Sequence, residues 1–376
     1  MKKNIIRICI IILPLISVVL SACTMTVNIN EPLEQEDEIV EPQVTETPEP
    51  EYLNEGVNTK CEITGYNNYN GDKKSYFLSK GDKIAVISPS GLPSRNQVDM
   101  TIEGLSNWGF VPVEGKHVCP EIRTLDEQIE DLEWAINDPE IKAIFCVRGG
   151  YGASEVMDMV SLDMIKKSPK PIIGYSDITV YHSAWTAAGF PSIHSCMSVT
   201  FNEFPKECAD AGLHMMMGEI PSYRCETDTH LIEGEASGIL IGGNLSTFTS
   251  VLNTAYDCTK TDEPYILFFE EIGENIQHIH RYLTILKHMG VLDRASGIIF
   301  GEWTDLPADG SGNFGAIRGG KFESVADMIQ KEFLTDTDIP VAFDFPSGHG
   351  DYNYPLLMGE KVHINVTEGS YTIDWP

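Results

Sequence analysis

A serine at the end of a short apolar run is the residue best suited to chemistry in this chain. Residues 172–179 read Ile-Ile-Gly-Tyr-Ser-Asp-Ile-Thr. A strand ending at Gly174 is followed there by Ser176 and by a helix that begins near Asp177. A serine on such a turn is exposed as a nucleophile, and the next backbone N–H can stabilise an oxyanion. The G-x-S-x-G pattern is incomplete, because Ile178 takes its last place, and a helix-capping role is the simpler local interpretation.

A glycine-rich turn precedes this segment. Residues 148–152 read Arg-Gly-Gly-Tyr-Gly after an apolar strand, and successive backbone N–H groups in such a turn can approach an anion closely. The turn lacks the third glycine of a dinucleotide-binding fingerprint, and no G-x-x-x-x-G-K phosphate loop occurs in the sequence. It is therefore either a tight strand–helix connection or one wall of an oxyanion hole.

Serine catalysis also needs a base and a group that orients the base. Glu270 and Glu271 end the apolar run 265–269, where a carboxylate either faces a site or meets solvent. One histidine lies in a Ser-Gly-His-Gly turn, whose glycines permit close approach of another segment. The local sequence leaves the base open among five histidines: His194, His278, His280, His288 and His349.

The elements that must position these side chains alternate between strand and helix from residue 82 onward. This alternation predicts a mostly parallel sheet with helices on both faces, in which sites lie where strands end and helices begin. The sequence predicts two α/β domains, 79–225 with the serine and 226–376 with the later glutamates and His349. The predicted strands are 83–88, 110–113, 141–147, 171–175, 238–241, 265–269, 296–301, 340–345, 361–366 and 370–374, and the predicted helices are 96–108, 125–137, 178–188, 244–252, 276–289 and 325–333.

Charge excludes one large class of function. The 376 residues include 56 acidic and 26 basic side chains, a formal net charge of −30. Phosphate backbones repel so acidic a chain unless a basic patch offsets the charge, and no such cluster occurs in the sequence. We therefore expect no nucleic-acid partner.

The cysteines indicate neither a metal site nor a complete disulfide framework. The chain has nine cysteines, widely spaced and without a C-x-x-C pair. One or two disulfides are compatible with an extracellular protein. We expect no metal and no cofactor. Seven cysteines follow the N-terminal region: Cys61, Cys119, Cys146, Cys196, Cys208, Cys225 and Cys258.

The N-terminus has the pattern of an exported, anchored protein. A basic start and a short apolar stretch predict a signal peptide over residues 1–22. The following Cys23 completes a Leu-Ser-Ala-Cys sequence that resembles the bacterial lipoprotein signal, in which this cysteine is acylated. Residues 23–78, rich in Glu and Pro, are predicted to form a solvated linker. The expected location is extracytoplasmic, at the bacterial cell membrane, through the lipid anchor alone.

Taken together, five motifs resemble the LD-carboxypeptidase family of serine peptidases, which includes muramoyl-tetrapeptide carboxypeptidases and microcin C immunity hydrolases. The resemblance runs from about residue 82 to the C-terminus, with the motifs in the family's order. They are Arg-Gly-Gly-Tyr-Gly at 148–152, Gly-Tyr-Ser-Asp-Ile-Thr at 174–179, Gly-Gly-Asn-Leu-Ser at 242–246, Leu-Phe-Phe-Glu-Glu at 267–271 and Ser-Gly-His-Gly at 347–350.

The resemblance implies a fold, a mechanism and a substrate. It implies a flavodoxin-like first domain, a homodimer, and cleavage of the bond to a terminal D-alanine in a murein tetrapeptide. Its implied catalytic residues are Ser176 as nucleophile, His349 as base and Glu270 as orienting carboxylate. The implied oxyanion hole uses backbone N–H groups, and two further residues are expected to contact substrate. The oxyanion-hole residues are Asp177 and Gly149 or Gly150. Apart from the resemblance, the expected substrate contacts are Arg148 and Tyr175, and Arg148 either pairs with the terminal carboxylate of the peptide or forms a structural salt bridge.

Two other functions remain open. One is hydrolysis of a peptidyl or aminoacyl conjugate, as in the microcin C immunity hydrolases, for which Trp185 and Trp303 are either base-stacking aromatics or plain core residues, the latter being the simpler interpretation. The other is a lipoprotein without catalytic activity that binds peptides between its two domains.

Overall fold

The computed structural model describes residues 52–55, 59–73, 76–197, 204–308, 316–317 and 320–376. Residues 49–376 belong to one compact unit. The helices are α1 Arg95–Asn107, α2 Leu125–Asn137, α3 Ala153–Met157, α4 Leu162–Lys167, α5 Thr179–Ala188, α6 Lys206–Met216, α7 Leu245–Val251, α8 Ile276–His288 and α9 Val325–Phe333. The strands are β1 Tyr52–Glu55, β2 Lys60–Asn68, β3 Lys83–Ile87, β4 Val111–Glu114, β5 Ile141–Cys146, β6 Ile172–Gly174, β7 Ser192–His194, β8 Glu219–Glu226, β9 Gly234–Asn244, β10 Tyr265–Ile272, β11 Ala295–Pro307, β12 Ala316–Ile317, β13 Gly320–Lys321, β14 Val341–Ala342, β15 Leu356–Met358, β16 Lys361–Thr367 and β17 Ser370–Asp374.

The first sheet has six strands in the order β15-β7-β6-β5-β3-β4. All its neighbours pair in parallel except β15, which runs antiparallel to β7. Strands such as β3 and β5 are almost entirely apolar because helices cover both faces of a parallel sheet. This is the mostly parallel α/β arrangement that the sequence predicts.

The second sheet is mixed and larger. Its order is β1-β11-β10-β9-β16-β17-β8-β2, with β14 also paired to β11. Strands β9, β10, β11 and β14 are parallel, whereas β16, β17, β8 and β2 continue the sheet in antiparallel pairs. The carboxyl ends of β9, β10 and β11 therefore meet at one edge, where a site can form.

Helix α5 joins the two sheets. It packs against α4 and β7 on the side of the first sheet and against β9 and α7 on the side of the second. Eight of the ten residues of α5 are buried, so this helix exposes almost no surface to solvent. Because α5 begins directly after β6, this packing places the turn between them next to the edge of the second sheet.

Local sequence signals determine where the exposed helices begin. Ser94 caps α1 and Thr124 caps α2, each in a reciprocal capping box with a side chain three residues later. Asn275 caps α8 in the same way by accepting from the N–H of His278. These caps explain why the predicted helix 125–137 has the bounds of α2.

The structure differs from the sequence prediction at the end of the expected linker. Strands β1 and β2 lie within residues 23–78, and β8, predicted in the first domain, pairs with β17 and β2 in the second sheet. The sequence pattern does not predict strand β2, because it is an edge strand that exposes most of its side chains. Residues 1–51, with Cys23, lie outside the described residues, and the domain boundaries stay a prediction.

A disulfide fastens β2 to the sheet. Cys61 on β2 is bonded to Cys225 on β8, and the two residues face each other across the antiparallel pair. It links segments 164 residues apart in sequence. No helix in the described ranges is long and apolar enough to cross a membrane.

Candidate active site

Ser176 occupies a strained turn between β6 and α5. Its φ is +65°, in the left-handed region that non-glycine residues rarely adopt, and it begins a single 3₁₀ turn that leads into the helix. The residue is half-buried. Strain of this kind persists only where the surrounding structure holds it in place, and it is concentrated at functional sites. The geometry is that of a nucleophile elbow, which presents the hydroxyl away from both backbone segments.

The side chain of Asp177 is hydrogen-bonded to two other segments of the first domain. Its carboxylate accepts a hydrogen bond from the hydroxyl of Ser90 and another from the N–H of Ala153 at 3.0 Å. Burial raises the pKa of this carboxyl, while the two hydrogen bonds lower it. The side chain of Asp177 thus bonds the elbow to the segment after β3 and to the start of α3. The group of Asp177 that can face a reacting carbonyl beside Ser176 is therefore its backbone N–H.

The glycine-rich turn lies against the serine. A Cβ on Gly149 would stand 2.9 Å from the Cβ of Ser176, 3.1 Å from its Oγ and 3.3 Å from the N of Asp177. Gly150 faces another direction, since a Cβ there would meet the Cα of Gly91 at 3.1 Å. Of the two glycines considered for an oxyanion hole, the structure brings Gly149 next to the elbow.

Replacing Gly149 by alanine is therefore expected to reduce the activity strongly. The new methyl group would push the turn away from Ser176, and loss of one aligned oxyanion donor costs about 10²–10³ in kcat. Hydrolysis rates of the variant measure this effect. Gly65→Ala is the matched control, because a Cβ at Gly65 meets nothing within 4 Å and should leave the rate unchanged. A Gly149→Ala rate within twofold of wild type would contradict the assignment.

Glu270 and His349 form a hydrogen-bonded pair. The Nδ1 of His349 lies 2.7 Å from Oε2 of Glu270, which is fully buried at the carboxyl end of β10. Burial lowers the pKa of His349, but the charge of Glu270, the hydrogen bond to it and the charges of Glu271 and Asp305 together hold that pKa above its usual value. A carboxylate on Nδ1 leaves Nε2 of the same ring to act as a base.

The elbow and the pair are adjacent. The ring of Tyr175, which directly precedes Ser176, has its centroid 4.8 Å from that of His349. Tyr175 also packs against His194 and Phe204 and is only 4% exposed. Tyr175 is thus buried between the elbow and His349, and its expected contact with substrate stays a prediction.

Arg148 lies at the edge of the same region. Its Nη1 donates to the carbonyl of Leu92 at 3.4 Å, and its Nε is buried without a hydrogen-bond partner among the described residues. A guanidinium with unused donors is suited to a carboxylate. Arg148 therefore stays a candidate for binding the terminal carboxylate of a peptide.

The two neighbouring glutamates have different surroundings. Glu271 accepts from the side chain of Asn244 at 2.8 Å and from the N–H of Ser246 at 2.7 Å, on the opposite side of β10 from His349. Burial, and then the charge of Glu270, raise its pKa to about 7. The N–H of Asn244 in turn donates to Thr179 in α5 at 2.9 Å. Glu271 thus links β10 to the elbow helix through the 242–246 motif.

The other four candidate bases are not bonded to Glu270, and His288 is exposed at the end of α8. His194 is fully buried, and burial lowers its pKa well below 6.5. His278 pairs with Glu274, and His280 stands 3.9 Å from Glu332. No group of three or more metal-ligating side chains occurs in the part of the chain that the structure describes.

Comparison with known proteins identifies relatives over most of the chain. Residues 84–195 match the family model of the LD-carboxypeptidase N-terminal domain, and residues 237–364 match that of the LD-carboxypeptidase C-terminal domain. The murein tetrapeptide carboxypeptidase of Pseudomonas aeruginosa is 26% identical over 305 residues, covering 77% of this chain and 94% of that protein. The microcin C7 self-immunity protein of Escherichia coli is 23% identical over 337 residues, covering 79% and 94%.

The fold has a solved counterpart. The crystal structure of muramoyltetrapeptide carboxypeptidase from Oxalobacter formigenes superposes with a TM-score of 0.68 at 21% identity, covering 78% of this chain and 99% of that one. At this identity the likeness shows the fold, which is the two-part α/β architecture that the sequence predicts.

Proposed function

Because the chain belongs to the LD-carboxypeptidase family, and is therefore a carboxypeptidase, we propose that it removes the terminal D-alanine from a murein tetrapeptide. The observation that carries the proposal is the hydrogen bond between His349 and Glu270 beside the strained elbow of Ser176. These three residues come from separate parts of the sequence, and the proposal is supported by the 4.8 Å between the ring centroids of His349 and Tyr175, the residue before Ser176. The named relatives support murein peptide as the substrate class.

The proposed mechanism is amide hydrolysis through an acyl-enzyme. His349 takes the proton of Ser176 as the hydroxyl attacks the carbonyl carbon, and Glu270 stabilises the imidazolium that forms. The backbone N–H groups of Asp177 and Gly149 hold the developing oxyanion. His349 then protonates the amine of the departing D-alanine. A water molecule, deprotonated by His349, attacks the acyl-serine and releases the shortened peptide.

Arg148 would bind the free carboxylate of the D-alanine. This assignment rests on the unused buried donor of its guanidinium beside the glycine-rich turn. A carboxylate held there would distinguish the end of a peptide from an internal bond, which is the requirement for a carboxypeptidase.

We also propose the setting in which the reaction occurs. The signal peptide would direct export, and the acylated Cys23 and the acidic linker would hold the mature enzyme outside the cytoplasmic membrane, beside the wall peptides that it trims. A homodimer is proposed from the family resemblance. Metabolic labelling with a fatty acid, lost in Cys23→Ala, tests the anchor, and sedimentation of the purified protein tests the dimer.

The experiment that tests the proposed activity uses two peptides. The protein is incubated with a murein tetrapeptide ending in D-alanine and with the same peptide ending in L-alanine, and the products are weighed by mass spectrometry. We expect loss of one alanine from the first peptide only. Cleavage of neither, with hydrolysis of a peptidyl-adenylate analogue, would replace the proposal by an immunity-type hydrolase. Tight binding without cleavage of any substrate would indicate a binding lipoprotein.

The immunity-type alternative rests on relatives rather than on this site. The microcin C7 self-immunity protein shares the fold and the family with this chain. The two tryptophans considered for stacking on a nucleotide base do not serve it, because Trp185 is 1% exposed and Trp303 is 0% exposed. Both are core residues, so the murein peptide is the better-supported substrate.

The pH dependence of the reaction follows from His349. The base must be neutral before the attack, so the rate should rise with pH through its pKa, which the surroundings hold above 6.5. We expect the acid limb of kcat/KM to have its midpoint above pH 6.5. Initial rates over a pH series, with an NMR titration of the imidazole, measure this value. A midpoint below that pH would show that Glu270 is not an ionised partner of His349.

A further inference from the structure

A second buried carboxyl lies under the loop that carries His349. Glu302 lies in the middle of β11, the strand next to β10, directly before Trp303, which pairs with Glu271, and only 1% of Glu302 is exposed. Its Oε2 accepts a hydrogen bond from the N–H of Gly350 at 3.0 Å, and Gly350 directly follows His349. The mechanism proposed above gives this carboxyl no role.

The loop fits closely over both carboxyls. A Cβ on Gly350 would stand 2.3 Å from Oε2 of Glu302, and a Cβ on Gly348 would stand 2.9 Å from Oε2 of Glu270. The two glycines flank His349, so each glutamate contacts the backbone on one side of it. The N–H of Glu302 also approaches the carbonyl of Ser347 at 3.4 Å. Glu270 orients the imidazole, and Glu302 holds the backbone beyond it.

We propose that Glu302 is a positioning residue of the active site, a neutral carboxylic acid that fixes His349 against Glu270 through the N–H of Gly350. The inference rests on the proposed function and adds a residue to it. Glu302 is not assigned a contact with substrate, because its hydrogen bond is to the loop backbone.

The charge state of Glu302 follows from its surroundings. Burial raises the pKa of Glu302 most, and the hydrogen bond from the N–H of Gly350 lowers it. The negative charges of Asp351 and Glu270, with Cys208, raise it further, and the resulting pKa is about 9. These groups face it from the loop, from β10 and from α6, and the imidazole of His349 lies on the same loop. A neutral Glu302 leaves Glu270 as the carboxylate bonded to His349. Ionisation of Glu302 at higher pH would add a second negative charge there.

Two substitutions separate the hydrogen bond from the charge. Glu302→Gln keeps an acceptor for the N–H of Gly350 and cannot ionise, whereas Glu302→Ala removes the acceptor. We expect Glu302→Gln to keep kcat within about threefold and Glu302→Ala to lower kcat by about 10- to 100-fold with KM little changed, as for a displaced catalytic group. Equal losses in both variants, or no loss in Glu302→Ala, would overturn the proposal.

The pH profile supplies a readout that a purely structural role would not change. Above pH 9 the wild-type rate should fall as Glu302 ionises, and Glu302→Gln should lose this alkaline limb. Asp351→Asn is the matched control: it removes an exposed carboxylate from the same loop and should keep the limb, moved to slightly lower pH. An alkaline limb that persists in Glu302→Gln would refute the neutral-acid assignment.

A substrate-independent assay separates this inference from the proposed function. The rate at which a fluorophosphonate labels Ser176 reports the activated serine whatever the substrate is, and Ser176→Ala gives the blank. If the wild type is labelled but cleaves no murein peptide, murein peptide is rejected as the substrate. The labelling rates of the Glu302 variants then still test whether Glu302 positions His349. Thermal unfolding at about pH 8 shows whether each variant is folded. Glu302→Gln should unfold at a higher temperature than the wild type, because the wild-type carboxyl is neutral in the folded state and ionised in the unfolded state at this pH, which favours unfolding.

Discussion

Ser176→Ala is expected to lower kcat for release of D-alanine by about 10⁴–10⁶-fold, the range seen when a serine nucleophile is removed from a triad. The methyl group can form no acyl-enzyme, and the remaining backbone donors accelerate only a slow direct attack by water. Since Ser176 is half-buried on the surface of the elbow, its loss should leave the fold intact. Mass spectrometry of the product and loss of fluorophosphonate labelling measure the effect.

The control for this variant is another serine-to-alanine change. Ser106 is exposed on α1, where its hydroxyl bonds to the carbonyl of Ile102 at 2.6 Å. Ser106→Ala should keep the full rate and full labelling. If Ser176→Ala retained more than about a hundredth of the activity, a different nucleophile or a directly attacking water would carry the reaction.

Glu270→Gln is expected to lower kcat by about 10⁴-fold, with KM nearly unchanged. The amide can occupy the same space, but it presents either a neutral oxygen or an N–H to Nδ1 of His349 and stabilises no imidazolium. Because Glu270 is fully buried behind the histidine, substrate binding should be little affected. The acid limb of the pH profile should also move to lower pH, since burial then lowers the pKa of His349 without the opposing charge.

Glu271→Gln is the matched control for the neighbouring position. Glu271 accepts hydrogen bonds from Asn244 and Ser246, whereas Glu270 is the carboxylate bonded to His349, so loss of the Glu271 charge should cost far less in kcat than loss of the Glu270 charge. Its acid limb should move to lower pH by less than that of Glu270→Gln, because Glu271 raises the pKa of His349 through its charge alone and donates or accepts no hydrogen bond with it. A larger loss in Glu271→Gln than in Glu270→Gln would reverse the roles assigned to the two residues.

The sequence alone determined the features that depend on short segments of the chain. The alternation of apolar strands with helical stretches predicted a mostly parallel α/β arrangement, and α2 and α9 have the predicted bounds. The order of glycine, serine and aspartate after an apolar strand indicated a turn at Ser176 that was either a nucleophile elbow or a helix cap, and the positive φ of Ser176 is that of an elbow. Such patterns are legible because capping, strand periodicity and tight turns are set by residues within a few positions of one another.

The tertiary structure decided the choices that depend on distant partners. Glu270 and Glu271 are equivalent in sequence, and only the loop that places His349 at 2.7 Å selects the first of them. The edge strand β2 resembles a linker because it exposes most side chains, and it is ordered by pairing with β8 far along the chain. The closeness of Glu302 to Gly350 depends in the same way on strand β11 and a loop 48 residues later. Long-range packing and pairing leave no local signature, so the composition of the site follows from the fold.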